Sequence, residues 1–216
     1  MHACDLGANI MLQGNVYWEL LVHEGGSWRE PKNAISGLLS MIAAAAKELG
    51  VECPLWDLTR GMIRVSAGAA PRLRVKAAEA RYMLPITRHI LAHYFPTQSD
   101  HESLRLHTVE AMLRMYREVD SWGPGSSERL GRSCREFMTL YNRLRSTATS
   151  EVLWKCYPKF HLLVHVCESG ENPRSTWNDA DEGEIGSAAK TAEKMHQGTL
   201  GTVLIAEHRV AKYGVS

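Results

Sequence analysis

This sequence predicts a mainly α-helical fold, on three observations. Helix punctuation recurs along the chain: a capping box at Ser99-Asp100-His101-Glu102, a glycine stop at Gly50, and a breaker at Trp122-Gly123-Pro124-Gly125. Apolar residues at Leu104, Leu106, Val109, Met112, Leu113 and Tyr116 form a stripe of helical period. Few segments alternate apolar and polar residues as half-buried strands do.

The elements follow in order. Val16 to Val22 is an apolar run whose periodicity does not decide between a buried helical turn and a strand. Glu24-Gly25-Gly26-Ser27 reads as a loop. Asn33 is placed to cap a helix running to about Lys47, whose Ala43 to Ala46 tract implies close packing against a neighbour. Ala67-Gly68-Ala69-Ala70-Pro71 breaks the chain before a helical stretch that continues toward Phe95. Pro85 lies inside that stretch and predicts a kink or break near Leu84, because proline lacks the N–H of the helical ladder. The Ser99 helix ends at Trp122, and another runs from about Ser127 to Arg145. Leu153 to Val166 reads as helical, restarting after Pro158, with a loop over Gly170 to Pro173. Helices over Glu182 to Met195 and Leu200 to Tyr213 close the chain. There is no internal repeat. One helical domain over residues 1–216 is expected, with a weak boundary near 121–127.

The 216 residues carry a formal net charge of +1, which argues against bulk attraction to nucleic acid. The charge is segregated, however. Arg72, Arg74, Lys76, Arg81 and Arg88 face only Glu79 between Pro71 and Tyr94, whereas six acids stand against Arg174 between Glu168 and Glu184. Such asymmetry suits a basic face for phosphates beside an acidic site for cations, and equally suits ordinary solvated helix faces. Five widely spaced cysteines with no Cys-x-x-Cys pair fit a reducing compartment. No cationic segment followed by an apolar one stands near Met1, and the longest apolar run, Gly37 to Ala46, is too short to span a bilayer. The expectation is an intracellular protein without a membrane partner.

Two patterns carry metal chemistry. His161 and His165 are four residues apart, so on a helix both project from one face and can share a metal; the bland alternative is a hydrogen-bonded pair on a partly buried helix. Asp179, Asp181, Glu182 and Glu184 put four carboxylates within six residues. Hard divalent cations prefer oxygen ligands, so Asp181 and Glu182 are candidate ligands for Mg2+ or Mn2+. Acids at a helix N-terminus also complement the helix dipole with no metal at all. Arg72, Arg74, Lys76 and Arg81 are candidate contacts to a DNA backbone, while Lys76 and Glu79 at i, i+3 can equally be a helix-stabilising ion pair. No Gly-rich phosphate loop, nucleophile elbow or zinc-finger spacing is present.

The order of these landmarks resembles the C-terminal half of CACTA-type (En/Spm-like) cut-and-paste transposases, members of the DDE class with an RNase H-like core. The matching segments are Met1-His2-Ala3-Cys4-Asp5-Leu6-Gly7 with Gly14-Asn15, then Leu73-Arg74-Val75-Lys76-Ala77-Ala78-Glu79 leading to Met83-Leu84-Pro85. Further on come Phe160-His161-Leu162-Leu163-Val164-His165 and Trp177-Asn178-Asp179-Ala180-Asp181-Glu182-Gly183. The resemblance implies that the helices are the insertion and C-terminal part of such a core, lacking most of its sheet. It makes Glu182 the counterpart of the glutamate that completes the acidic triad. His161 or His165 would orient that ligand or contact the scissile phosphate, and Lys76 and Arg81 would lie near DNA. The family's motif aspartate precedes the methionine at which this sequence starts, and Gly183 replaces the family's arginine. The expectation is therefore a shortened derivative that binds duplex DNA, nuclear if transposase-like, and does not perform strand transfer alone. The alternative is a helical interaction or scaffold protein that binds another protein chain and performs no chemistry.

Overall fold

The fold is organised around one helix that is buried from Ile10 to Leu21, the half-buried Glu19 apart. In the computed structural model the described residues are 4–23, 32–95 and 99–176. A π-helical turn, Cys4–Asn9, leads directly into α1, Ile10–His23. There follow α2 (Lys32–Glu48), the short α3 (Arg60–Ile63), α4 (Ala77–His93), α5 (Asp100–Asp120), α6 (Ser126–Thr147) and α7 (Pro158–Glu168). A 3-10 turn, Pro173–Thr176, ends the described part. Among the described residues there is no strand, so the helical expectation holds. No helix among them is long and apolar enough to cross a membrane. The chain divides into two units after Ser175, and helices α1 to α7 all belong to the first.

Ala8, Ile10, Leu12, Val16, Tyr17 and Leu20 are all at most 2% exposed. A helix enclosed by its neighbours has no solvent-facing stripe to set a period, and only Val22, at the end of the 16–22 run, is exposed. The π-turn packs on α4 and α7, and α1 itself packs on α2, α3 and α4. The α5–α6 pair is the most extensive helix contact of the fold, with α7 laid on α6. Each buried leucine or valine of α1 contributes roughly 1.5–3 kcal/mol relative to exposure.

The local signals act as the chemistry requires. Ser99 Oγ accepts from Glu102 N–H at 3.3 Å while Glu102 Oε2 accepts from Ser99 N–H at 2.9 Å, closing the capping box of α5. Gly50, at φ +66°, ends α2: its N–H donates to Lys47 C=O at 3.1 Å and that of Val51 to Ala46 C=O at 3.0 Å, a Schellman closure. Gly125, at φ +76°, turns the chain between α5 and α6 within the 121–127 segment.

Pro85 departs from expectation, because α4 runs through it from Ala77 to His93. Pro85 itself faces solvent, so the Arg81 carbonyl that loses its helical donor is not obliged to be dry. The flanking Met83, Leu84, Ile86, Thr87 and Ile90 are buried and hold the helix together. Helix α7 starts only at Pro158, and residues 148–157 form a connection instead of the expected helix from Leu153. Trp154 explains this: it sits at φ +53°, outside helical geometry, with its ring wholly buried against Tyr141 at a centroid distance of 5.4 Å. Tyr141 in turn packs on Phe160 of α7 at 4.7 Å and Phe137 of α6 at 5.7 Å.

Candidate functional site

The candidate site begins at Gly14. A Cβ placed there would lie 2.6 Å from Arg72 N, Arg72 Cα and Leu73 N, so only glycine lets the 72–73 backbone cross α1. Three backbone hydrogen bonds fix the crossing: Arg72 N–H to Ile63 C=O at 2.8 Å, Leu73 N–H to Ile10 C=O at 2.9 Å, and Arg74 N–H to Met62 C=O at 2.7 Å. Burial alternates along this segment: Pro71 and Leu73 point inward, while Arg72, Arg74 and Lys76 are exposed. Alternation of this kind is the signature of extended backbone, and side chains two residues apart then stand roughly 7 Å apart.

Those three cations are not spent on the fold. Among the described residues none of Arg72, Arg74 and Lys76 has a side-chain ion pair. The expected Lys76–Glu79 pair is replaced by a cap: Glu79 Oε2 accepts the Lys76 backbone N–H at 2.8 Å, so the glutamate serves the start of α4. Arg81 differs from its neighbours. Its guanidinium donates to Asp120 at 2.5 Å and lies over the Tyr116 ring at 5.3 Å, while Arg174 reaches the same Asp120 oxygen at 3.3 Å. Arg81 is therefore engaged in tying α4 to α5.

A cleft of about 370 Å3 opens beside the cationic segment. Gly7 and Met11 form one wall, Ala70 and Arg72 a second, and Tyr157, Pro158, Lys159 and Phe160 at the start of α7 a third. Its lining is apolar apart from the two cations and the tyrosine. Tyr157 is 38% exposed, and the Lys155 ammonium lies 5.9 Å from its ring centroid.

His161 and His165 are brought together on α7, as their spacing predicts. Their Nε2 atoms are 2.8 Å apart, one donating to the other, and both rings are exposed. Two tetrahedral zinc bonds would need those nitrogens only slightly farther apart. Among the described residues, however, no group of three His, Cys, Asp or Glu side chains converges in a way that could hold a metal ion. Asp181 and Glu182 lie outside the described residues.

Sequence reasoning missed the buried polar groups of the N-terminal segment. Asp5, Asn9, Gln13 and Tyr17 recur every four residues and share a face. Tyr116 OH donates to Asp5 and accepts from Asn9 Nδ2 at 3.2 Å. The Gln13 amide donates to Asn9 Oδ1 at 2.7 Å and to Ala80 C=O at 2.6 Å, and its Oε1 accepts from Thr87 at 3.0 Å. Thr87 and Tyr17 hydroxyls meet at 2.6 Å. A second stripe offers Asn15 Oδ1 to the Trp154 N–H at 2.8 Å and Glu19 to the Trp154 indole at 2.6 Å, His101 at 3.0 Å and Arg105 at 3.3 Å. The visible signal was the i, i+4 repeat of polar residues within an otherwise apolar run.

Burial shifts several of these groups. It pushes the Tyr17 and Tyr116 hydroxyls well above the usual tyrosine range, and does the same to the Cys4 thiol. At the surface, the Tyr94 hydroxyl (2.6 Å) and His89 (2.7 Å) hydrogen-bond the Glu48 carboxylate and hold it below the ordinary carboxyl range. The buried Cys134 and Cys167 thiols hydrogen-bond each other, lowering the first and raising the second.

No family model, curated protein or solved structure matches this chain.

Proposed function

We propose that the protein binds duplex DNA through its phosphate backbone, as a helical, transposase-derived protein that performs no strand transfer by itself. One observation carries the proposal: Arg72, Arg74 and Lys76 project from a rigid, extended segment without ion-pair partners among the described residues. Cations held this way contact phosphates without giving up an internal interaction, and each contact adds sequence-blind, salt-sensitive affinity. The transposase origin rests on the ordered motifs alone.

The test is fluorescence anisotropy with a labelled random-sequence duplex across a salt series. Log affinity is expected to fall linearly with log salt, and the triple variant Arg72→Ala/Arg74→Ala/Lys76→Ala to flatten the slope by about 2–3, at roughly 0.9 per phosphate lost. No binding at low salt, or an unchanged slope in the triple variant, overturns the reading.

A second reading, a helical interaction protein without chemistry, draws on Trp56. That side chain is 94% exposed, and Val51 and Val65 are also exposed. Exposed tryptophans are enriched among residues that dominate protein interfaces. It predicts loss of partner capture with Trp56→Ala and no change with the triple variant.

A further inference from the structure

The cleft between the π-turn, residues 70–72 and the start of α7 has a chemical bias that backbone contacts to a duplex do not use. Its lining includes the buried Met11 and Phe160 and the partly exposed Tyr157. At its rim stand Arg72 and Lys159. A largely apolar cleft that also carries a tyrosine and two cations suits a ligand with an aromatic body and an anionic group. The volume, about 370 Å3, lies within the usual range for small-molecule sites.

Continuity with the cationic segment narrows the ligand class. Arg72 belongs to both features: it borders the cleft and is the first of the exposed Arg72, Arg74, Lys76 series. A strand whose phosphates follow that series arrives at the cleft with a base to place in it. Stacking on an aromatic side chain next to a basic track is how single strands are held, since every base has a π-face.

We infer that the cleft binds one nucleotide, its base lodged against Tyr157 and its phosphate at Arg72 and Lys159. This deepens the DNA-binding proposal, on which it rests, by adding a site for an unpaired residue. The occupant comes either as a free mononucleotide or as an unpaired residue of a strand, and the two sources are separable.

The experiment measures four probes by titration against the full chain: a deoxynucleoside 5′-monophosphate, an aromatic carboxylate, a labelled single-stranded oligonucleotide, and the labelled duplex. Two variants address the cleft. Ala70→Phe fills it from a half-buried loop position without changing charge, and Tyr157→Ala removes the exposed ring. Thermal unfolding followed by circular dichroism checks that both fold. Single-strand affinity should fall about tenfold or more in each variant, while duplex affinity stays within about twofold. Competition by the mononucleotide assigns a free-nucleotide site. Binding of the oligonucleotide alone, lost in Ala70→Phe, assigns a site for a residue within a strand.

The inference is overturned if neither the mononucleotide nor the oligonucleotide binds, or if both variants bind them as the parent does. Duplex binding that persists in that case leaves the backbone proposal standing. Conversely, if the duplex fails to bind but the mononucleotide does, the cleft stands and the backbone reading falls. An aromatic carboxylate that binds as tightly as the nucleotide, with no oligonucleotide binding, would assign the cleft to a small metabolite and also overturn the inference.

Discussion

Gly14 lies directly beneath Arg72, with room for a hydrogen but not a methyl group: an added Cβ would stand 2.6 Å from both the Arg72 nitrogen and its Cα. This contact between the central helix and the cationic segment joins the scaffold to the candidate interface. Gly14→Ala would ordinarily gain up to about 1 kcal/mol from helix propensity. Here backbone meets backbone and neither can give way cheaply, so the substitution is expected to cost at least about 2 kcal/mol. Urea unfolding reads this as a lower midpoint at similar slope. Duplex affinity should fall with it, since the crossing positions Arg72 and Arg74. A neutral or stabilised variant would show that the two backbones do not meet at Gly14.

The Asp5–Tyr116–Asn9–Gln13–Thr87–Tyr17 chain predicts strong non-additivity. Gln13→Ala removes a side chain that meets three buried partners, leaving Asn9 Oδ1, the Ala80 carbonyl and the Thr87 hydroxyl each short of one contact. Each buried polar group left unsatisfied costs about 1–3 kcal/mol, so a loss of roughly 3 kcal/mol or more is expected. Thr87→Val alone should cost less, and the double variant less than the sum of the two. A double-mutant cycle that closes with no coupling would refute the chain as a unit.

Buried tyrosines make alkaline stability a sharp test. Tyr17 and Tyr116 have folded pKa values raised above the unfolded one. Their contribution is therefore complete below the ordinary tyrosine pKa, about 10, and is lost as pH climbs above it. Tyrosinate absorbance should rise in two stages, exposed rings first and the buried ones only as far-ultraviolet dichroism collapses. Simultaneous, gradual ionisation of all tyrosines would contradict their burial.

Glu48 runs the other way. Its folded pKa is depressed by Tyr94 and His89, so its contribution is present above the ordinary carboxyl pKa and disappears as pH falls through the lowered value. The Tm difference between the parent and Glu48→Gln should therefore be visible near neutrality and vanish in acid. A difference that grows on acidification would reverse the sign and reject the assigned partners.

Thiol labelling separates the five cysteines, all of which are unpaired. Cys4, Cys134 and Cys167 are buried, whereas Cys53 and Cys156 are partly exposed. Two thiols should react with an aromatic disulfide reagent in the native state, and the remaining three only after unfolding. Rapid native labelling of Cys134 would mean that the α6–α7 contact opens readily.

The features legible in the amino-acid order are local ones. The Ser99 box and the Gly50 stop are signals written within four or five residues, and both form. The histidine spacing is equally legible, because one helical turn is enough to join His161 to His165. The 16–22 run is not legible, since a helix covered along most of its length has no solvent-facing side to set a period, and its polar residues meet partners distant in sequence. Pro85 misleads because its solvent-facing position removes the cost of the missing donor. The cleft is beyond reach for a different reason: Met11, Arg72 and Tyr157 are far apart along the chain, and only packing makes them neighbours. The polar repeat at Asp5, Asn9 and Gln13 is there to be seen, but without a partner in view it looks like interruption of an apolar segment.

The central helix also sets the timetable of synthesis. The Trp154 amide that Asn15 accepts lies 139 positions further along. At ribosomal speeds of ~5–20 residues per second, that gap takes on the order of ten seconds to translate. Helices α2 to α4 reach the central helix earlier, but throughout that interval its Asn15 side waits without a partner. The protein should accordingly depend on chaperones while it is being made, and precipitate when truncated upstream of Trp154, even though its finished form keeps this helix dry.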